Sequence, residues 1–539
     1  MKNLIKNQIA VPLLVAAITL AIVLSTLTLT GCENPAANPD NPSGGDEQTA
    51  NVYMTIPDPN LPANRFQYIR GYGGTDTTWY SPTTQDDIEL MYNPDKLGYN
   101  ILRIRIPPNN VDPAQSIAEL VATYQPDYYE NVKIVNKYGG YVMATPWTPP
   151  KDWKSNNSIN GQDYIESNSI TPVYQIGYML SEYYPQYAQY LRDFARNMYD
   201  NGAPIYAISI QNEPNFAATY EGCRWEPEQM RDFFIQQGHF TDGVRGWGGG
   251  KEIPTVMTMN GESSDTPYIN NAALQNPASK AAIDLLGRHY YGKRTESLWN
   301  NYPDLLQKGS ANDINKGRME VWMTEHSINS GGMEPVYSDS SWNYMWLFLN
   351  DIDMAIRLNN ENAFIWFTSK RFYSMIGDGQ YGTTEGAILP RGWALSHYAR
   401  FTIGMTRIQI NLDTGKTNVT RDGTRIPHTG MGGSILNNSE LTITNVAVRV
   451  TAFISENGRE ISLVMWAPTN TGGLGGYDPG VIEVALPLGF TANSVTAVRS
   501  NGALPDQAFQ PYDVQLNQNR TKAYITLGKG EIVSVKLSK

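Results

Sequence analysis

Ile208-Ser209-Ile210-Gln211-Asn212-Glu213-Pro214 is an apolar run that ends in an amide, a carboxylate and a proline, and Val321-Trp322-Met323-Thr324-Glu325-His326 ends the same way in a second carboxylate. Apolar neighbours exclude the water that would solvate a carboxylate there, so such a group is rarely placed without a partner. Two in the same setting point to one site. Working outward, six more runs have this character: 68–73, 99–106, 141–145, 255–259, 283–289 and 363–367, with the quoted pair belonging to 205–210 and 320–324. Stretches of helical period lie between them, clearest in Tyr187, Leu191, Phe194, Ala195 and Met198 before the Asn201-Gly202 stop. Trp342 to Arg357 is a second such stretch. Eight strands alternating with helices predict an α/β fold, a (β/α)8 barrel, with the working residues at the C-terminal strand ends.

The barrel is expected over 51–404, its first strand near 52 joining a side domain. Past 405 the texture becomes β-branched alternation with Gly and Asn turns, as in 441–444, 460–466, 481–486 and 531–537, which predicts a β-sandwich over 405–539. A structural role is favoured for it, with Trp466 and Tyr477 as its few exposed aromatics. At the other end Lys2 and Lys6 precede an apolar stretch closing on Leu29-Thr30-Gly31-Cys32, which resembles a bacterial lipoprotein signal over 1–32 acylated at Cys32. Residues 33–50 are polar and rich in Pro, Gly and Asn, a flexible tether. An extracytoplasmic, membrane-anchored monomer is expected. Acylation leaves Cys223 as the lone thiol, so no internal disulfide is expected.

The net charge of −11 argues against nucleic acid, whose phosphates need clustered cations. Thirty-three Tyr and 12 Trp supply flat amphipathic rings suited to stacking on a neutral polysaccharide. Two carboxylates can cleave such a polymer when one is protonated to donate to the leaving oxygen and the other is ionised. Burial is expected to raise Glu213, while Arg103 or His289 keeps Glu325 charged. Asn212 is expected to bond the sugar 2-hydroxyl, and Trp79, Trp147 and Tyr291 are candidate sugar contacts, Trp147 the first choice as platform. Trp153 and Trp225 can equally be core. His289 and His326 lack metal-ligand spacing, so neither metal nor cofactor is expected. Arg371 is either a substrate anion's partner or a structural ion-pair residue.

Gly71-Tyr72-Gly73-Gly74, Leu102-Arg103-Ile104, Thr145-Pro146-Trp147-Thr148-Pro149-Pro150, Asn212-Glu213-Pro214, Thr324-Glu325-His326 and Arg371-Phe372-Tyr373 together resemble glycoside hydrolase family 30, in order and spacing, across nearly all of 52–539. The resemblance implies a barrel with a side β-sandwich and a retaining mechanism, Glu213 as acid/base and Glu325 as nucleophile. Within the family the chain is most similar to the bacterial xylanase branch, which cuts glucuronoxylan and holds its acidic side group with an Arg and a Tyr, matched by Arg371 and Tyr373. Two positions depart from the pattern: Ser327 replaces a Tyr and Phe367 a Trp. The expectation is an endo-acting xylanase whose side-group requirement is weakened. The rivals are a hydrolase of another β-glycan, such as a β-1,6-glucan or galactan, and a non-catalytic carbohydrate-binding lipoprotein.

Overall fold

The computed structural model describes residues 49–76, 79, 81–108, 119, 121, 127–168, 171–242, 256–292, 296–310, 313–327, 342, 345–413, 448–468, 479–502 and 506–539. Cys32, Tyr477, Thr255 and 441–444 lie outside these residues. Residues 47–539 form one compact unit. Among the described residues no helix is long and apolar enough to cross a membrane.

Eight parallel strands close into a barrel in chain order: β1 (Gly71–Asp76), β2 (Ile101–Ile106), β3 (Tyr141–Pro146), β4 (Ala207–Ser209), β5 (Met257–Ser263), β6 (Leu285–His289), β7 (Glu320–Glu325) and β8 (Ala363–Trp366). All eight predicted runs supply a strand. The first starts later than expected, because Tyr68 ends a separate strand, Arg65–Tyr68, that pairs antiparallel with Met405–Ile408. The chain redirects at Ile69 and Arg70, whose N–H groups donate to Met405 and Asn362 respectively. Glycine in β1 answers to close packing: a Cβ on Gly73 would sit 1.7 Å from the Ile101 carbonyl oxygen.

Strand alternation divides the core into two layers. Ile101, Met143, Ala207, Met259, Leu285, Trp322, Ala363 and Ile365 fill the barrel with Tyr206, whose ring stacks on Trp322 at 6.0 Å. Leu102, Ile104, Ile106 and their counterparts face the helices. Helix Tyr184–Asp200 buries Tyr187, Leu191, Phe194, Ala195 and Met198 on one stripe and stops at Gly202, in the left-handed region with φ +71°. Helix Met345–Asp353 is followed by a wider π turn over Met354–Leu358.

Two sheets make the side domain. One orders Asn411–Leu412, Val52–Thr55, Gly480–Ala485, Lys522–Leu527 and Gln515–Leu516; the other has seven strands, with Ser494–Ser500, Glu531–Ser538, Glu460–Ala467 and Arg449–Ser455 at its centre and Arg65–Tyr68 at one edge. Its own core gathers Val52, Met54, Leu463, Ile482, Ile525 and Val535. The seam with the barrel is apolar and continuous: Phe453, Val464, Trp466 and Ile532 belong to the barrel's cluster. Trp466 is therefore not an exposed aromatic. It is 1% exposed, stacks on Trp346 at 6.1 Å and donates from Nε1 to Tyr398. Its strand faces helix Pro390–Thr402, whose His397 bonds Ser534 and Ser500 across the seam at 2.8 Å each.

Candidate active site

The inner face of β2 carries Ile101 into the apolar layer and Arg103, one pleat further, into the mouth, where it is fully buried. Its guanidinium is a hub. Nη1 donates to Glu325 Oε2 at 2.6 Å and Nη2 to Asn212 Oδ1 at 2.7 Å. Nε lies 3.1 Å from Glu262 Oε2 and 3.3 Å from Thr145 Oγ1. A guanidinium never gives up its proton in such a setting, so a permanent positive charge is fixed at the centre of the floor.

Glu262 was not among the expected residues. It lies at the end of β5, fully buried, where Oε1 accepts from Thr145 Oγ1 at 2.8 Å. Burial alone would lift its pKa; Arg103 and His289 overturn that and hold it down at about 2. Its backbone matters as well, since the Glu262 carbonyl accepts the Glu213 N–H at 2.8 Å. Glu213 sits there at φ +45°, a left-handed conformation that costs a non-glycine residue about 1–3 kcal/mol and persists only where its surroundings hold it.

Strand irregularities aim two of the three carboxylates. Between β5 and β6 the register passes from Asn260↔Leu286 to Ser263↔Arg288, three steps against two. Gly261 is thereby turned outward, its Cβ direction meeting Met230 of an outer helix, and Glu262 turns in. Between β6 and β7 it passes from Met323↔Arg288 to Glu325↔His289, two steps against one. Thr324 and Glu325 then both address the mouth, Thr324 through a hydrogen bond to Glu262. Bulges of this kind re-aim side chains beside active sites.

His289 closes the cluster. Its Nδ1–H donates to Glu213 Oε1 at 3.1 Å, and Nε2 lies 3.6 Å from Glu262 Oε2 and 4.0 Å from Glu325 Oε2. Burial would push the imidazole down, but Glu325, Glu213 and Glu262 hold it up at about 9, so at neutral pH it is a second cation. Glu325 also accepts from Tyr291 Oη at 3.1 Å, so both its oxygens have donors. Its pKa is nevertheless raised: burial is the largest influence, Glu213 adds to the rise, and His289 and Arg103 oppose it. The rise expected from burial is found at Glu325. Glu325 is the deeper of the two, with side-chain exposures of 8% against 18%. Arg103 and His289 against Glu262 leave one positive charge for Glu213 and Glu325 to balance. Oxygens of Glu213 and Glu325 and a nitrogen of His289 lie within 4.8 Å of one another, a spacing that could hold a cation. A protonated imidazole and a guanidinium already occupy that electrostatic role, and an imidazolium is not a ligand.

The remaining expected residues border this cluster. Asn212 accepts from Arg103 through Oδ1. Trp147, expected as an open platform, is only 3% exposed: the strand-end loop folds over the mouth, the Arg103 guanidinium lies 4.6 Å from its ring and the edge of Trp79 meets it at 4.8 Å. Trp79 is the open ring, 40% exposed over Arg105 at 4.9 Å. Trp225 is core, donating to Gln211 Oε1, and Trp153 packs with Tyr183. His326 is buried against Asp351 at 3.1 Å, behind the site. Arg371 lies 5.5 Å from the ring of Tyr373, which is buried. Ser327 Oγ meets Tyr291 Oη at 3.3 Å.

No protein-family model matches the chain. It is 26% identical over 370 residues to the glucuronoxylanase XynC of Bacillus subtilis strain 168, spanning 66% of this chain and 72% of that protein. Its fold is that of the glycoside hydrolase family 30 subfamily 8 xylanase Xyn30A of Clostridium acetobutylicum, with TM-score 0.64 and 21% identity over 90% of this chain and 99% of that one. The catalytic domain of a family 30 xylanase C from Talaromyces cellulolyticus superposes with TM-score 0.61 and 16% identity, over 90% of this chain and 100% of that one.

Proposed function

We propose that this chain, a glycoside hydrolase of the family 30 xylanase type, cleaves β-1,4-xylan internally with retention of configuration, glucuronoxylan being its decorated substrate. The observation that carries the reading is the approach of Glu213 and Glu325 oxygens to within 4.8 Å at the ends of β4 and β7. Retaining enzymes hold their carboxyl groups about 5–5.5 Å apart, whereas inverting ones need about 6.5–9.5 Å to admit a water.

Glu213 is the acid that donates a proton to the glycosidic oxygen as the bond to the anomeric carbon breaks. Glu325, whose oxygens are already held by Arg103 and Tyr291, attacks that carbon and forms an ester. Glu213, now ionised, takes a proton from water, whose oxygen replaces Glu325 and releases the sugar. His289 steadies the carboxylate form of Glu213 for this second half. Arg371 and Tyr373 are the residues proposed to receive a uronate, a guanidinium fork being suited to a carboxylate. Anchoring through an acylated Cys32 is proposed with it; radiolabelled palmitate incorporated by the wild type and absent from Cys32→Ser is the expected result.

Azide added to Glu325→Ala is expected to yield a glycosyl azide of inverted configuration. A wild-type product whose anomeric configuration is inverted in the first turnovers, read by proton NMR, would overturn the double displacement.

A further inference from the structure

We propose that the rim on the Glu213 side carries a second glycan-binding platform, outside the cleft, on which a linear β-glycan chain lies across exposed rings. The proposal rests on the glycan-cleaving reading of the cleft. Gln162–Asn168 and Thr171–Ile176 form a two-stranded hairpin in the connection that leaves the catalytic end of β3. Tyr164 and Tyr174 are direct cross-strand partners on it, their rings 6.0 Å apart and 57% and 39% exposed. The loop after β4 adds Phe216 and Tyr220, 51% and 55% exposed. With Trp79, these make five of the eight exposed aromatic side chains among the described residues, gathered on neighbouring connections of one end of the barrel. Scattered single rings need no explanation; a gathered set does.

The platform is rigid and joined to the cleft. Gly161 N–H donates to the Tyr220 carbonyl and Gln162 N–H to that of Ala218, so the hairpin base is pinned to the β4 loop. Gly161 approaches so closely that a Cβ there would lie 2.5 Å from the Ala218 nitrogen. Beneath it the buried Lys154 ammonium donates to the carbonyls of Asn160 and Gly222, both at 2.6 Å. The same loop begins at Glu213, whose carbonyl accepts the Phe216 N–H. One residue past Tyr220, Glu221 accepts from Nε and Nη2 along one edge of the Arg105 guanidinium, which lies under Trp79, and Trp79 meets Trp147 over Arg103. Backbone bonds, one ion pair and ring contacts thus run from the hairpin base to the catalytic floor. A rigid set of flat rings loses little entropy on binding, and the C–H faces of successive sugars are what such rings stack on.

The test uses the full chain and Tyr164→Ala/Tyr174→Ala, with Tyr164→Phe/Tyr174→Phe as ring-retaining control and circular dichroism to establish folding. In gels containing soluble glucuronoxylan, the wild type and the Phe variant are expected to be retarded and the Ala variant to run nearly free. The KM of the Ala variant for the polymer should rise about five- to tenfold, while its turnover of xylotetraose stays at the wild-type value. Retardation equal to wild type in the Ala variant, or no retardation of the wild type, would overturn the platform. An equal loss on polymer and tetraose would reassign the hairpin to structure. A wild-type dimer by light scattering that the Ala variant converts to monomer would give the surface to a second copy of the chain. Retardation without any cleavage of xylan would sink the cleavage reading and leave the platform standing.

Discussion

Strand β7 begins on Glu320 and ends on Glu325, and each glutamate meets an arginine that belongs to the start of the barrel. At the lower end Arg70 grips Glu320 with two donors, at 2.6 and 3.2 Å, while Trp322 Nε1 and Asn315 Nδ2 take the remaining capacity at 2.9 and 3.2 Å. One charge meets one charge, and the hydrogen bonds leave nothing to spare. At the upper end Arg103 and His289 face Glu213, Glu262 and Glu325, three carboxylates to two cations. The balanced end can only hold the strands together. The unbalanced end holds one carboxylate more than it has cations. A carboxylate at a strand terminus is thus no sign of function until its neighbours are counted.

Glu325→Gln is expected to have the largest effect. Turnover of xylan is expected to fall by more than about 10⁴-fold, as for other residues that form the covalent intermediate. Glu213→Gln should cost about 10²- to 10⁴-fold, the usual weight of a general acid–base group. In both, circular dichroism should be unchanged, and a rate near wild type in either refutes the pair.

Glu262→Gln sharpens the charge argument. His289 is held above its ordinary value, so its proton is in place below pH 6.5 and is lost as the pH rises through about 9. The wild-type rate should therefore fall on an alkaline limb near pH 9. Removing the Glu262 charge takes away one of the groups that hold the imidazolium, so the limb should move to lower pH, with kcat reduced about 10- to 100-fold. A limb that stays in place would show that Glu262 supports the backbone of Glu213 and nothing more.

Arg371→Ala is expected to reduce kcat/KM on glucuronoxylan about tenfold, the worth of one charge-assisted pair, and on unsubstituted xylan very little. Equal losses on the two polymers would return Arg371 to a structural role. Glu320→Gln is the smallest in activity, which should remain at the wild-type level. It should lower stability by about 2–3 kcal/mol in denaturant unfolding, because Arg70 stays partly buried with its partner neutralised. A drop in kcat there would mean that the two ends of β7 are not independent.

Much of this was legible in the chain. Buried parallel strands leave long apolar runs, so eight of them could be found, and a carboxylate or arginine at such an end stands out against its apolar neighbours: Glu213, Glu325, Arg103 and His289 were all found this way. Glu262 fell under the same rule and escaped it because the apolar run closes at Met259, before Asn260-Gly261-Glu262, whereas the strand runs to Ser263. Trp147 and Trp466 misled because a ring's exposure depends on what arrives over it. In one case that is Trp79 and in the other helix Pro390–Thr402, each from another part of the chain. The raised pKa of Glu325 was out of reach for a like reason, since it turns on how deeply the side chain is buried, which the sequence around it does not show.

The two register shifts make the catalytic floor a matter of counting as well as of composition. Every carboxylate could be retained and the floor still dismantled by inserting a single residue between Gly261 and Glu262 or between Thr324 and Glu325, which would carry the glutamate one pleat further and point it at the helices. Any redesign of this barrel therefore has to preserve spacing between residues that touch no substrate at all, much as a message must keep its reading frame.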